Sequence, residues 1–423
     1  MREMKGSGVE WIGEVPRTWR VERFKGLAIN VTEPIPQGSS LSVPLENVEP
    51  WTGKLIDAAT SEDSEGCAKG FCRGDVLFSK LRPYLAKVFC APCTGACSGE
   101  MLVLRPKDID SKFLSYYLMS PSTVDEINGL NFGAKMPRAD WNIVCNLRVP
   151  LPPIKEQRRI VSFLDGRCAA IDDDIAKRRE VIEKLKEYKK ALIARAVTKG
   201  LDSNAEMKDS GIEWLGEVPS HWGLTKIKFA ASICNGLDYS SEDVCSAERE
   251  GATLVVRSSN IKDGRMVRCD DVYVDMDIKD SCLLQQGDLV IVRANGSPRL
   301  VGKCALHNLE GKCAAGGFML ICRSVYNQHL RWVLQSGLLD YYRGSFDTST
   351  IGRISSTLLG DMVIPWPSTK ERSSIDAFLE KRCSAIDEAV LLQEQLIEKL
   401  GEYRRSIIHH AVTGKIDCTE AMK

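Results

Sequence analysis

Three groups of side chains have the types and spacing for chemistry, and each stops short of a complete site. Gly296-Ser-Pro-Arg-Leu-Val-Gly302-Lys303-Cys304 approaches a phosphate loop, in which backbone N–H groups and a lysine cradle an anion. Its glycine spacing is one residue too long, and Cys304 stands where a hydroxyl must reach magnesium. Cys90-Ala-Pro-Cys93-Thr-Gly-Ala-Cys97 offers a C-x2-C pair without a second pair at finger spacing. All five histidines (His221, His307, His329, His409, His410) come more than a hundred residues later. Structural zinc needs four converging soft ligands, so Cys90, Cys93 and Cys97 read as small buried or edge-strand residues and no metal is expected. Asp172-Asp173-Asp174 could be imagined as a cation site but reads as a solvated helix face. The sequence has no H-E-x-x-H, no G-x-S-x-G and no Asn-Pro-Pro-aromatic signature of an amino-methyltransferase. The expectation is a chain that binds and does not catalyse.

The elements that would position a binding site emerge when the chain is compared with itself. Gly8-Val-Glu-Trp-Ile-Gly-Glu-Val-Pro-Arg-Thr-Trp19 returns as Gly211-Ile-Glu-Trp-Leu-Gly-Glu-Val-Pro-Ser-His-Trp222, an offset of 203. Residues 155–202 return as residues 370–417, an offset of 215. Arg167-Cys168 and Ala170-Ile171-Asp172 thereby match Arg382-Cys383 and Ala385-Ile386-Asp387, and Ile182-Glu-Lys-Leu185 matches Ile397-Glu-Lys-Leu400. Between these frames the copies diverge, apart from signposts such as Gly74-Asp-Val-Leu-Phe-Ser-Lys80 against Gly287-Asp-Leu-Val-Ile-Val-Arg293, and Arg138 against Arg353. The chain is two tandem copies of one unit, and fixed frames around variable interiors suggest one scaffold carrying two recognition surfaces.

Each 215-offset block predicts one long helix. Leu164, Cys168, Ile171, Ile175, Ile182, Leu185, Leu192 and Ala196 recur at steps of three and four, and their counterparts run from Leu379 to Ala411. Arg178 and Lys189 interrupt the first stripe; Gln393 and Arg404 interrupt the second. Two equal seams predict mutual, antiparallel packing, and a helix of about 43 residues spans roughly 60 Å. Pro152-Pro153 and Pro365-Trp-Pro367 stop whatever precedes each helix. The interiors mix helix and strand: Gly74-Asp-Val-Leu-Phe-Ser, Met101-Leu-Val-Leu, Leu289-Val-Ile-Val and Phe318-Met-Leu-Ile read as buried strands. The Trp-rich frames read as loops pinned by tryptophans in the core. The predicted fold is therefore α/β (α+β): two globular domains (1–153 and 201–368) separated by two spacer helices (154–200 and 369–423) packed as an antiparallel coiled coil.

Composition narrows the function classes. The 423 residues carry 57 Lys+Arg against 57 Asp+Glu, so a polyanion site must be a local patch. Mean hydropathy is −0.17 and no run of about 18 apolar residues occurs, so a membrane span is not expected. The first residues lack the apolar stretch of an export signal, and the expectation is a cytoplasmic protein with free thiols.

The order and duplication of these pieces resemble the specificity (S) subunit of Type I restriction-modification systems. The likeness is carried by the Gly211–Trp222 frame, by Gly74-Asp-Val-Leu-Phe-Ser-Lys-Leu-Arg-Pro-Tyr84, by Pro150-Leu-Pro-Pro-Ile-Lys-Glu-Gln157 and by Arg382-Cys-Ser-Ala-Ile-Asp387. The second stop, Pro365-Trp-Pro-Ser-Thr-Lys-Glu-Arg372, departs from the pattern by lacking the doubled proline and the glutamine. The resemblance implies two target recognition domains, each reading one half of a split, asymmetric site in double-stranded DNA. It also implies helices that set the spacing and dock two modification (methyltransferase) subunits. No cofactor is then expected on this chain: S-adenosylmethionine would sit on the modification subunit, and ATP and magnesium on a restriction (motor-nuclease) subunit. Expected DNA contacts are Lys80, Arg82, Tyr84, Lys135 and Arg138 in the first domain. In the second they are Arg293, Asn295, Ser297, Arg299, Thr350 and Arg353. Three other readings stay open at this point. They are a recognition subunit for a partner combining methylation and cleavage, a coiled-coil adaptor, and a self-sufficient nuclease or methyltransferase.

Overall fold

The architecture is taken from a computed structural model, which describes residues 2–37, 39, 41–56, 67–130, 137–342 and 353–418. The chain forms two compact units, one of Met1–Arg179 with Gln393–Lys423, the other of Glu180–Leu392. Their sheets repeat each other. In the first unit four antiparallel strands lie in the order Ala28–Val31, Met101–Pro106, Val76–Ser79, Val88–Cys90. In the second unit the order is Ser232–Asn235, Met319–Arg323, Leu289–Val292, Cys304–Leu306.

These central strands are apolar on both faces because each face has its own core. Successive side chains of a strand point to opposite sides. Val76 and Phe78 join a core with the Ser111–Leu118 helix, whereas Leu77 joins a second core with Phe71 and Val103. Leu289 and Ile291 face one core and Val290 and Val292 the other in the same way. Cys90 packs against the first of these cores and Cys97 lies within the second, so the two thiols do not converge. Burial pushes Cys90 up to about 11 and Cys97 up to about 12. The second sheet of each unit holds a parallel pair, Leu41–Val43 with Gly95–Ser98 and Thr253–Val256 with Cys313–Ala315, and among the described residues it has three strands in the first unit and four in the second.

The Gly-Asp signposts acquire a physical reason. Gly74 (φ +88°) and Gly287 (φ +84°) take the left-handed conformation that glycine adopts without a steric cost. The aspartate that follows each is buried, accepts a backbone N–H three residues back (Cys72, 2.8 Å; Gln285, 2.8 Å) and holds an arginine of the neighbouring strand. The pairs are Asp75 with Arg105 (2.9 Å) and Asp288 with Arg323 (2.6 Å), and Arg105 also holds Glu33 (2.6 Å).

The two long helices run from Ile154 to Lys199 and from Thr369 to Val412, 46 and 44 residues, or about 65–70 Å each at 1.5 Å per residue. Within the first unit, Ile160 and Leu164 of one helix share a core with Ile407, Ile408, Ala411 and Val412 of the other. In the second unit Ile193, Ala196 and Val197 share a core with Ile375, Leu379 and Cys383. Each unit thus pairs the start of one helix with the end of the other, which is antiparallel packing. Each polar interruption of the stripes finds a partner on the facing helix. Arg178 donates to Gln393 (2.9 Å), Lys189 pairs with Asp387 (2.6 Å) and Arg404 with Asp172. Lys54 of the first globular domain and Arg265 of the second reach the same two aspartates. Asp172 is therefore part of the seam, and the expectation that the whole triplet is a solvated face holds only for Asp173 and Asp174, which are exposed.

The Trp-rich frames lock each helix start. Trp19 and Trp222 are fully buried, and each donates its indole N–H to the glutamate of the Lys-Glu pair, Glu156 or Glu371, at 3.0 Å. The glycine ending the other helix of the same unit packs on the same ring. A Cβ on Gly414 (φ +74°) would lie 3.1 Å from Trp19, and one on Gly200 (φ +74°) 3.1 Å from Trp222. At the divergent second stop, Arg372 takes over from Gln157. Gln157 binds the Pro152 carbonyl and the Asp110 N–H. Arg372 donates to the Pro367 carbonyl and lays its guanidinium over Trp366 (4.1 Å) and Tyr326 (4.7 Å).

Candidate nucleic-acid interface

In the first unit the chain leaves the Val76–Ser79 strand at Lys80. The Lys80 N–H donates to the Glu100 carbonyl (2.9 Å), and its own carbonyl accepts from Ala139 (2.8 Å). Leu81 bridges to Arg138, and the Arg82 N–H donates to the Pro137 carbonyl (3.2 Å). These backbone bonds gather Lys80, Arg82 and Arg138 from distant parts of the sequence. Arg82 (φ +48°) and Ala86 (φ +42°) flank the Pro83–Leu85 turn in a conformation that non-glycine residues rarely adopt. That turn leaves Arg82 and Tyr84 exposed.

The second unit repeats the construction. Arg293 donates its N–H to the Phe318 carbonyl (2.8 Å), and its carbonyl accepts from Ile354 (2.9 Å). Ala294 bridges to Arg353 as Leu81 does to Arg138. Arg293 and Arg353 are thereby the counterparts of Lys80 and Arg138. Asn295 donates its side-chain amide across to Ser258 Oγ of the Ser258–Asn260 turn (3.0 Å) and, within its own loop, accepts from the Ser297 N–H (2.9 Å). Ser297 and Arg299 are exposed on the turn that follows. Lys135 and Thr350 lie outside the described residues.

Electrostatics mark both clusters as places where positive charge is crowded. Burial, and then the charge of Lys80, hold the Lys69 ammonium below the usual lysine range. Burial, and then the charge of Arg353, lower Arg293, with Asp238 pulling the other way. The Nε of Arg293 is buried and has no hydrogen-bond partner among the described residues. Crowded cations that repel one another in the free protein are relieved by an anion such as backbone phosphate.

Beside the second cluster lies a groove of about 750 Å³, lined among others by Asp238, Tyr239, Arg257, Ser259, Asn295 and Phe318. Buried Arg257 Nε and Ser259 Oγ in its wall have no partner among the described residues. Sequence reasoning missed this groove, whose residues come from four separate segments. It also missed Lys69, which donates to the Met101 carbonyl (2.9 Å). One signal was available: Gly99-Glu-Met-Leu102 and Gly317-Phe-Met-Leu320 are the same motif with a different second residue.

Comparison with known proteins agrees with this construction. Residues 67–184, spanning the first cation cluster and the first part of the long helix, match the family described as the Type I restriction modification DNA specificity domain. The Type I restriction enzyme MjaVIII specificity subunit of Methanocaldococcus jannaschii is 24% identical over 338 residues, covering 76% of this chain and 74% of the relative. The putative Type I restriction enzyme MjaX specificity subunit of the same organism is 24% identical over 440 residues, covering 96% and 95%. A solved chain described under "Structural basis underlying complex assembly and conformational transition of the type I R-M system" shares the fold. It is 19% identical, with a TM-score of 0.71 over 95% of this chain and 99% of that one. Domain match and relatives along the chain make this protein similar to the DNA specificity subunits of Type I restriction-modification systems, and the solved chain shares its fold.

Proposed function

We propose that each unit reads one half of a split, asymmetric target in double-stranded DNA. The carrying observation is the duplicated cation pair, Lys80 with Arg138 and Arg293 with Arg353, on one backbone construction with different neighbours in each copy. The shared construction suits phosphate positioning, and the different neighbours suit different base sequences. Arg82 and Tyr84, Ser297 and Arg299, and the loop of Asn295 are the further contacts on this reading. Lys135 and Thr350 complete the proposed set.

The chain itself holds no cofactor and catalyses nothing on this reading. Two modification subunits dock on the long helices and bring S-adenosylmethionine with the methyl-transfer chemistry; a restriction subunit brings ATP and magnesium. Exposed Tyr188 and Tyr403, counterparts at the 215 offset, are the apolar residues suited to that docking. Native mass spectrometry of the co-expressed complex is expected to give two modification subunits per chain. A one-to-one assembly at saturating partner contradicts the paired docking. Substituting both Tyr188→Glu and Tyr403→Glu is expected to weaken assembly tenfold or more, by about 1.4 kcal/mol or more, without unfolding the chain.

A further inference from the structure

The two cation clusters differ at one register position. Glu100 and Phe318 occupy it: each carbonyl accepts the N–H of the strand-end cation, Lys80 or Arg293, and each residue immediately precedes the same Met-Leu strand. In the first unit the Glu100 carboxylate holds Arg138 at 2.8 Å. In the second the position carries a phenyl ring that is 67% exposed, and among the described residues no carboxylate pairs with Arg353. The ring is not on a loose tip. Gly317 before it fits so closely that a Cβ there would lie 2.2 Å from Asp238, and the Phe318 carbonyl also accepts from Ala294 (3.3 Å). A water-exposed phenyl on a fixed backbone, beside two crowded arginines and a groove whose polar atoms include some unpartnered among the described residues, is costly in the free protein and suited to a polyanion with apolar faces. Nucleic-acid bases next to phosphates have that character.

We propose that Phe318 is a specificity-determining residue of the second recognition surface, making an apolar contact with a base of its half-site. Glu100, at the same position of the first surface, excludes such a contact and ties its arginine until DNA binds. This rests on the reading of the clusters as DNA surfaces. It divides the labour within each surface: the cations contact phosphate, and the residue between them contacts a base.

The test is a titration of the assembled chain and modification subunits against a duplex carrying the target, at several salt concentrations. Phe318→Ala is expected to lower specific affinity about tenfold to a hundredfold while leaving the slope of affinity against salt unchanged. Arg353→Ala is expected to flatten that slope by about one unit. Phe229→Ala, removing another exposed phenyl (76%) at a distant helix, is expected to change neither. Replacing thymines of the half-site by uracil, or adenines by 2-aminopurine, distinguishes contact with a methyl group from contact with an unstacked base; either supports the proposal. A Phe318→Ala complex with wild-type affinity and discrimination overturns it alone. A wild-type complex that fails to prefer target over random duplex removes the underlying reading as well.

Discussion

At the scale of single residues, the duplicated features are those whose removal leaves a charge or a donor stranded. Asp288 is 2% exposed and meets Arg323 and the Gln285 N–H. Asp288→Asn leaves the arginine without its counter-charge and is expected to cost about 2–4 kcal/mol in urea unfolding; a change below about 0.5 kcal/mol would contradict this account of the Gly-Asp signpost. His409 has no such counterpart in the first helix. Its Nδ1 meets Ser120 (3.2 Å) and Ser122 (3.0 Å). Burial, then the charges of Lys415 and His410, push it from 6.5 down to about 4. The unfolded histidine takes up its proton near pH 6.5 and the folded one only near 4. This contribution to stability is therefore complete above pH 6.5 and is lost as pH falls towards 4. Melting temperature is expected to drop more steeply across that window for the wild type than for His409→Gln; equal slopes contradict the assignment. The sequence exposed the Asp and Arg signposts because duplication marks them. It did not expose His409, a position occupied by Ala194 in the other copy.

At the scale of elements, the helices were the most legible part, since a stripe at steps of three and four has one structural meaning. Their interruptions were not, because a charged residue in a seam reads as a defect until its partner is known. Arg404 and Lys189 are counterparts at the 215 offset, and each meets the counterpart aspartate, Asp172 or Asp387. Arg404 is 6% exposed, so Arg404→Ala is expected to destabilise the first unit by about 2–4 kcal/mol. The double variant Arg404→Met with Asp172→Leu is expected to recover most of that loss. A double variant no more stable than Arg404→Ala would show that the pair does not couple. The proposed binding surface was legible only in part for a related reason. Lys80, Arg138, Arg293 and Arg353 stand at duplicated positions, whereas the groove is assembled from four segments, and the repeat of Gly99–Leu102 at Gly317–Leu320 does not by itself betray the others.

At the scale of the whole molecule, both helices are continuous through the boundary between the two units, at residues 179–180 and 392–393. Thr198 is still helical and Gly200 packs on Trp222, so residues added there would be extruded as a loop. Seven residues inserted in each helix at the boundary keep the stripe in phase and add about 10 Å. If the helices set the spacing, the gap between half-sites grows by about three base pairs, since DNA rises about 3.4 Å per pair; an active complex with the old gap removes the ruler. The central claim is that each unit reads its own half of the target. Its most direct test is single-molecule methylation sequencing of cells expressing the complex with residues 25–150 replaced by the matching region of a relative. The account predicts a methylated motif in which one half has changed and the other half is unaltered. A motif in which both halves change together, or neither does, would contradict it.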